Sequence, residues 1–435
     1  MFTEAVRNFT SFAPLGLVLV AMLGMGVAEG SGFIAAALRG LVARIPRALL
    51  TAAIVFVGVN GNLAADAGVI VLPPLAALLF LAVGRHPVAG IAAAFAGVAG
   101  GFSANLLPSA LDAVLAGLSQ SALDASRLMP GYTVQVLGNW YFLFVSTFVL
   151  TLVGTWVTER IVEPYLGPWQ GERPAAAPVV DPREGRALLW ASLSMLGCLG
   201  LFAWWTLGPG APLRLPEGGW IDSLRPLFDS IVVLVAILFL VPGLVYGAII
   251  GSIRNDRDVA RMAADGMASM AGYIVLAFFA AQFVNWFAWS NLAAILAVKG
   301  AGFLRGLGLG ASALMVGIVL GTALLNLLTS SASAKWGLIG PVFVPMFLLL
   351  GFSPEGTQVI YRVGDSATNI ITPLFPYMPI ILAAVRRYLP EAGVGKLIAV
   401  MVPYSIAFLV SWTLLLLLWS GMDWPIGPGV LLHLR

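Results

Sequence analysis

The chain has 435 residues, 60% of them hydrophobic and only 10% charged, and its mean hydropathy is +0.96; repeated long apolar runs at that composition predict a polytopic, all-α membrane protein and leave soluble catalysis no starting point. A single cysteine, Cys198, and two distant histidines, His86 and His433, exclude a disulfide framework, a zinc cluster and a haem motif. The net charge of +3 rests on arginines gathered in short loops, the positive-inside pattern, so it implies no nucleic-acid partner.

Residues 12–38 read as the first span, and Arg39, Arg44 and Arg47 place the loop after it in the cytoplasm. The chain then enters that span from outside without a cleavable signal, so a preceding span is expected to be missing from this sequence. Two apolar arms, 48–59 and 68–83, each too short to span comfortably, meet at Gly58-Val-Asn-Gly-Asn-Leu-Ala-Ala-Asp66 and predict a re-entrant hairpin over 48–83. A broken helix, 87–118, interrupted at Gly100-Gly-Phe-Ser-Ala-Asn-Leu-Leu-Pro108, and a span at 132–157 close a first unit, 1–158. The polar segment 159–186 is the expected cytoplasmic linker, and 187–250 holds two connecting spans, 187–207 and 227–250. The second unit, 251–435, starts with Arg254, Arg257 and Arg261 at the cytoplasmic side and continues into a long helix at 266–298. A hairpin over 306–351 follows, with its tip at Thr329-Ser-Ser-Ala-Ser-Ala-Lys-Trp336, then a broken helix, 355–388, and a last span, 394–420.

Both units therefore run helix, hairpin, broken helix, helix, but enter from opposite sides. A short internal match, Ser103-Ala-Asn-Leu-Leu-Pro108 beside Ser366-Ala-Thr-Asn-Ile-Ile-Thr-Pro373, agrees with that order. The expected fold is an inverted-repeat secondary transporter of about eight spans, with two re-entrant hairpins and binding sites near the midplane.

The stretch Tyr361-Arg-Val-Gly-Asp-Ser-Ala-Thr-Asn-Ile-Ile-Thr-Pro373 puts Arg362, Asp365 and Asn369 on one helical face in an apolar region, where an ionisable residue costs roughly 2.5–3.5 kcal/mol and so marks a pathway or binding site. The plainer reading is an Arg362–Asp365 pair that only neutralises itself. Asn60, Asn62, Ser330, Ser331 and Ser333 at the hairpin tips, with Asn105 and Asn369 at the breaks, offer oxygens suited to a sodium ion, although the same residue types also make tight turns. Asp112, seven residues after Asn105, is the best carboxylate of the first half, and Asp66 the second choice. Lys335 and Trp336 offer a cation and an aromatic plate for an aromatic or carboxylated solute. Glu29, Asn285 and Trp286 read as packing or interface residues. No Ser-His-Asp set, zinc motif or phosphate loop supports an enzyme.

Ser331-Ala-Ser-Ala-Lys-Trp336, Pro341-Val-Phe-Val-Pro-Met346, Ser353-Pro-Glu355 and the stretch from Tyr361 to Pro373, with Asn8-Phe-Thr-Ser-Phe-Ala-Pro-Leu-Gly16 in the first half, together resemble the p-aminobenzoyl-glutamate transporter (AbgT) family over essentially the whole chain. The resemblance implies a bowl-shaped homodimer of nine-span subunits in a bacterial inner membrane, among membrane lipid. It implies ion-coupled export, by antiport against Na+ or H+, of p-aminobenzoate-like antimetabolites, p-aminobenzoic acid and sulfonamides among them. It also implies a substrate path through Asp112, Ser333, Trp336, Pro354, Arg362 and Asp365. The alternatives are an importer of p-aminobenzoyl-glutamate and, in another class, a passive anion channel using Arg362 as its selectivity charge; no cofactor is expected beyond a bound sodium ion.

Overall fold

A computed structural model of the chain describes residues 2–43, 46–61, 66–171, 182–207, 210–215, 222–329 and 331–434. Among these residues the structure is almost wholly helical. Four helices are each long and apolar enough to cross a membrane, Trp140–Leu166, Arg183–Leu207, Ile231–Ile250 and Val394–Gly421, and two bent helix pairs reach that length together.

The first span is α1, Ala13–Gly30, and α2, Phe33–Ala43. They are kinked where Gly32 takes a φ of +88°, a conformation that disfavours side chains. The first hairpin is α3, Leu50–Asn60, and α4, Asp66–Ala82; its base is tied down by Arg85, 2.6 Å from Glu163 and 2.7 Å from Thr51. The broken helix begins as α5, Pro87–Phe95, where His86 accepts from the Val88 N–H and Pro87 occupies the first turn. A π turn, Ala96–Gly100, leads into the break, and the helix resumes as α6, Ala110–Ser126, which ends eight residues beyond the expected 118. The π turn lies against α3 so closely that a Cβ on Gly97 would sit 2.7 Å from the Val55 carbonyl oxygen, which only glycine permits. The next helix, α7, Trp140–Val157, continues through a second π turn to Leu166. It extends into the segment expected to be linker.

After α8, Pro182–Leu207, and α9, Ile231–Ile250, the structure departs from the sequence reading. The single helix expected at 266–298 is divided between α10, Asp256–Ser269, α11, Ala271–Trp289, and α12, Leu292–Gly306. Asn291 takes φ +56° between the last two, and α12 meets the next helix at a 120° bend through Gly308, at φ +65°. A polar residue in the left-handed region thus breaks a mainly apolar run, and a glycine turn makes the bend that follows it. The second hairpin is α13, Ala311–Asn326, and α14, Ala332–Leu348. Ser331 caps α14 by accepting from the Ala334 N–H at 3.3 Å, so Ser333, Lys335 and Trp336 stand in the first turns of a helix, not in the hairpin tip.

The second broken helix is α15, Pro354–Ala367, and α16, Met378–Arg386, with Pro373 in the irregular stretch between them; the last helix is α17, Val394–Gly421. Beyond it the chain folds back, the Ser353 and Leu434 N–H groups donating to Leu432 and Gly351. The hairpin–break–helix order thus occurs twice. The repeats interlock, α6 packing on α14 and α15 and α17 on α7, while within the second repeat α13 packs on α15. One apolar core joins α3, α5, α7, α15 and α17, and a second joins α1, α6, α9 and α14. Ala104 and Ile370, in the two helix breaks, belong to the first core.

Candidate functional site

Every residue of α15 from Pro354 to Ala367 is buried. Glu355, Gln358, Arg362, Asp365 and, past the helix end, Asn369 recur every three or four residues, so one polar stripe runs the length of a helix wholly enclosed by protein. Such a stripe must be satisfied by its neighbours, because each buried polar group left unpaired is costly.

Two ion pairs satisfy Arg362 and Asp365, and neither joins the two to each other. The plainer sequence reading paired Arg362 with Asp365 one turn along the same helix. Instead its Nη1 donates to Asp112 Oδ1 at 2.6 Å, and its Nη2 to the Ser103 carbonyl at 3.2 Å. Asp365 is paired with Lys335 from α14. Spacing put both groups on one face; the neighbouring helices decided their partners. Asp112 can reach across because it stands in the first turn of α6, where its Oδ2 accepts from the Ser109 N–H at 2.6 Å and O–H at 2.8 Å. The four side chains are each at most 5% exposed.

Asn326 is the junction of the second break. Its Nδ2 faces the Asp365 carbonyl at 2.6 Å, Thr368 Oγ1 at 2.9 Å and Asn369 Oδ1 at 2.9 Å, while its Oδ1 accepts from Lys335. Asn369 donates onward to the Ala99 carbonyl of the first break at 3.2 Å. Tyr361 Oη lies 2.7 Å from the Ala332 carbonyl and 2.9 Å from Asp365 Oδ1; its one proton serves one acceptor at a time. Asp365 Oδ2, Arg362 Nε and both polar atoms of Asn105 have no hydrogen-bond partner among the described residues. Trp336, fully buried, donates from its indole nitrogen to Ser119 at 2.9 Å, and Ser119 to Gln358 at 3.1 Å. Its ring lies 4.6 Å from that of Tyr361 at 32°.

The internal sequence match acquires a physical meaning here. Ser103 and Ser366, the residues it aligns, touch each other through their hydroxyls at 2.7 Å, the self-contact expected at a local two-fold axis. Asn60 and Asn326 each end the first arm of a hairpin; Asn60 accepts from the Leu106 N–H of the first break at 3.0 Å, as Asn326 serves the second.

The structure therefore gathers Asp112, Trp336, Arg362, Asp365 and Asn369 around one centre. Pro354 is not in it: it opens α15, eleven residues or ~16 Å of helix from Asp365. Ser333 is half-buried and Ser331 exposed. Asn62 and Ser330 lie outside the described residues. Asn285 is satisfied by its own helix, donating to the Ala281 carbonyl at 2.9 Å. Sequence reasoning missed Asn326, Ser103 and the pairing role of Lys335; the signal for Asn326 was a lone amide ending an apolar run, as at Asn60. It also gave no role to Glu355, a buried carboxylate that accepts from Tyr132 Oη at 2.9 Å and the Gln135 N–H at 3.0 Å.

A charged centre held between two helix breaks and two hairpins, inside a bundle of membrane-length helices, defines an inverted-repeat membrane transporter. Residues 1–434 match the family described as "AbgT putative transporter family". The p-aminobenzoyl-glutamate transport protein of Escherichia coli (strain K12) is 37% identical over 427 residues, 98% of this chain and 84% of that protein. The crystal structure of the Alcanivorax borkumensis YdaH transporter, which has an unusual topology, superposes with a TM-score of 0.92 at 48% identity, covering 98% of this chain and 89% of that one. Neisseria gonorrhoeae MtrF, described with a class of antimetabolite efflux pumps, gives a TM-score of 0.91 at 45% identity over 99% of this chain and 86% of that one. The chain belongs to the AbgT family of transporters.

Proposed function

We propose that the chain is an ion-coupled secondary transporter of the bacterial inner membrane, acting as a homodimer that exports p-aminobenzoate-like compounds, antimetabolites such as sulfonamides among them, against Na+ or H+. The carrying observation is the pair of buried ion pairs, Arg362–Asp112 and Lys335–Asp365, at facing helix breaks. A guanidinium is a planar fork matched to carboxylate or sulfonyl oxygens, so a substrate anion takes the place of Asp112 on Arg362. The rings of Trp336 and Tyr361, 4.6 Å apart beside Asp365, supply aromatic surface for a benzoate ring. Asp365, Asn326 and Asn369 supply the oxygens for the coupling cation, the unpartnered Oδ2 of Asp365 among them, and Asn105 and Ser331 remain candidate ligands on the opposing break and hairpin. Rocking of the hairpins then opens the centre to each side in turn.

The Escherichia coli relative, a p-aminobenzoyl-glutamate transport protein, supports p-aminobenzoyl-glutamate as an alternative substrate, with import as the second reading of direction. A passive anion pore is disfavoured, because Arg362 is 1% exposed and already held by a carboxylate. The test is uptake and efflux of labelled p-aminobenzoate and p-aminobenzoyl-glutamate in proteoliposomes, with sodium and pH gradients imposed separately. Accumulation against a concentration gradient under either one is expected. Flux that only equilibrates, whatever the gradient, would overturn the proposal in favour of a pore.

A further inference from the structure

Gln358 takes no part in the ion pairs of the centre, yet it is only 2% exposed. Among the described residues its side chain makes one hydrogen bond, its Oε1 accepting from the Ser119 O–H of α6 at 3.1 Å. A primary amide carries two N–H donors and two carbonyl lone pairs, so the Nε2 donors and one lone pair of Oε1 are left open. Buried polar groups in that state are costly until something pairs with them. Ser119 in turn accepts from the Trp336 indole nitrogen at 2.9 Å, which holds the amide beside an aromatic ring.

The position of Gln358 on α15 gives the open groups a use. It precedes Arg362 by four residues, so the two share a face of the helix. Their separation along the axis, about 6 Å at 1.5 Å per residue, matches the span of a benzoate from its carboxyl carbon to the substituent in the para position. Their partners also come from one neighbour, Asp112 and Ser119 both standing on α6. One turn the other way from Arg362 stands Ser366, whose hydroxyl is already engaged with Ser103 at 2.7 Å. The open amide therefore lies on the Gln358 side. We infer that Gln358 is the specificity residue for the group para to the substrate carboxylate: with the acid on Arg362, a ring lying between α6 and α15 beside Trp336 brings that group to the amide. An aryl amine donates to the free lone pair of Oε1, and a phenolic oxygen accepts from Nε2. A benzoate bare or methylated at that position leaves the amide open. The inference rests on the substrate reading above and deepens it by stating which benzoates the site selects.

The test is equilibrium binding to the full chain in detergent, with benzoate, p-methylbenzoate, p-aminobenzoate and p-hydroxybenzoate each competing against labelled p-aminobenzoate. In the wild type the two ligands with a polar para group are expected to bind about tenfold more tightly than the other two, the worth of one well-made hydrogen bond to a buried amide. In Gln358→Met, which keeps the side-chain length, the preference falls to about twofold or less, and the loss is borne by the two para-polar ligands. The wild-type series needs no variant, and Gln358→Leu repeats the comparison should the Met variant fail to fold. A folded Gln358→Met that keeps the wild-type preference overturns the assignment, as does one that loses affinity for all four ligands in equal proportion, the mark of a merely structural amide. Loss of the preference in Asn105→Leu but not in Gln358→Met also overturns it and moves the para group to the first break. A wild type that binds the four alike overturns the role of Gln358 and leaves the substrate reading standing; binding of none of them overturns both.

Discussion

The pairing of Arg362 with Asp112 can be separated from the alternative, Arg362 with Asp365, by a double-mutant cycle. In the structure Arg362 and Asp112 are joined at 2.6 Å in an environment at most 5% exposed. Removing one partner strands the other as a buried charge, at a cost of about 3–5 kcal/mol; removing both leaves nothing stranded. Arg362→Met keeps most of the side-chain volume, and Asp112→Asn keeps an oxygen for the Ser109 N–H, so the cap of α6 survives. Each single variant is therefore expected to lose about 3–5 kcal/mol and the double variant distinctly less than the sum, a coupling of about 3 kcal/mol. Arg362→Met/Asp365→Asn is expected to show no such relief, since it frees both Asp112 and Lys335 from their partners. Denaturation of the purified protein in mild detergent, followed by tryptophan fluorescence, measures all of these. Additive costs for Arg362 and Asp112 would refute the pairing. Normal transport by the compensated double variant would make the pair structural and withdraw the proposed substrate site.

Asn326→Ala removes the amide that joins Lys335, Thr368 and Asn369, and is expected to cost about 1–3 kcal/mol through groups left unsatisfied and to weaken Na+ dependence of transport, read as a higher half-saturating concentration. Gly364→Ala would drive a Cβ into Thr322 and the Val319 carbonyl where α15 crosses α13; a loss of a few kcal/mol or failure to express is expected, by thermal melting. Glu355→Gln keeps an acceptor for the Gln135 N–H and should melt within about 1 kcal/mol of wild type, whereas Glu355→Ala leaves that N–H and Tyr132 unpaired and should cost about 1–3 kcal/mol. For topology, cysteines placed at 168 and 257 in a Cys198→Ala background should be shielded from impermeant reagents in intact cells, and one at 212 labelled.

How much of this was legible in the sequence depended on the range of the interaction. The hairpins and both helix breaks could be read, because glycine, proline and runs of Ser, Thr and Asn act locally on the backbone. The polar stripe of α15 was legible for the same reason, three- and four-residue spacing being a property of one helix. The division of the 266–298 run was not: it is apolar on either side of Asn291, and the left-handed turn there shows only in the backbone. Nor were the ion pairs, since Asp112 and Arg362 are 250 positions apart. Helical spacing offered a partner one turn away, and a tertiary partner won.

The two breaks share a scaffold but not a chemistry, and that asymmetry bears on coupling. Ser103 faces Ser366 and Asn60 corresponds to Asn326, so the backbone arrangement is repeated. Yet Asp365 takes the place that the aligned Phe102 holds in the first half, immediately before the matched serine. One break therefore presents a carboxylate, while the other receives a guanidinium from across the axis. The two cations and two carboxylates sum to zero, which suits a centre enclosed by apolar helices. An anionic substrate arriving alone would leave it charged, as would a cation arriving alone, and either state is costly away from water. Admitting the anion together with a proton, or exchanging the cation for a proton, keeps the centre neutral. On the reading proposed above, the coupling of substrate to ion rests on this electrostatic balance, without a separate device to enforce it.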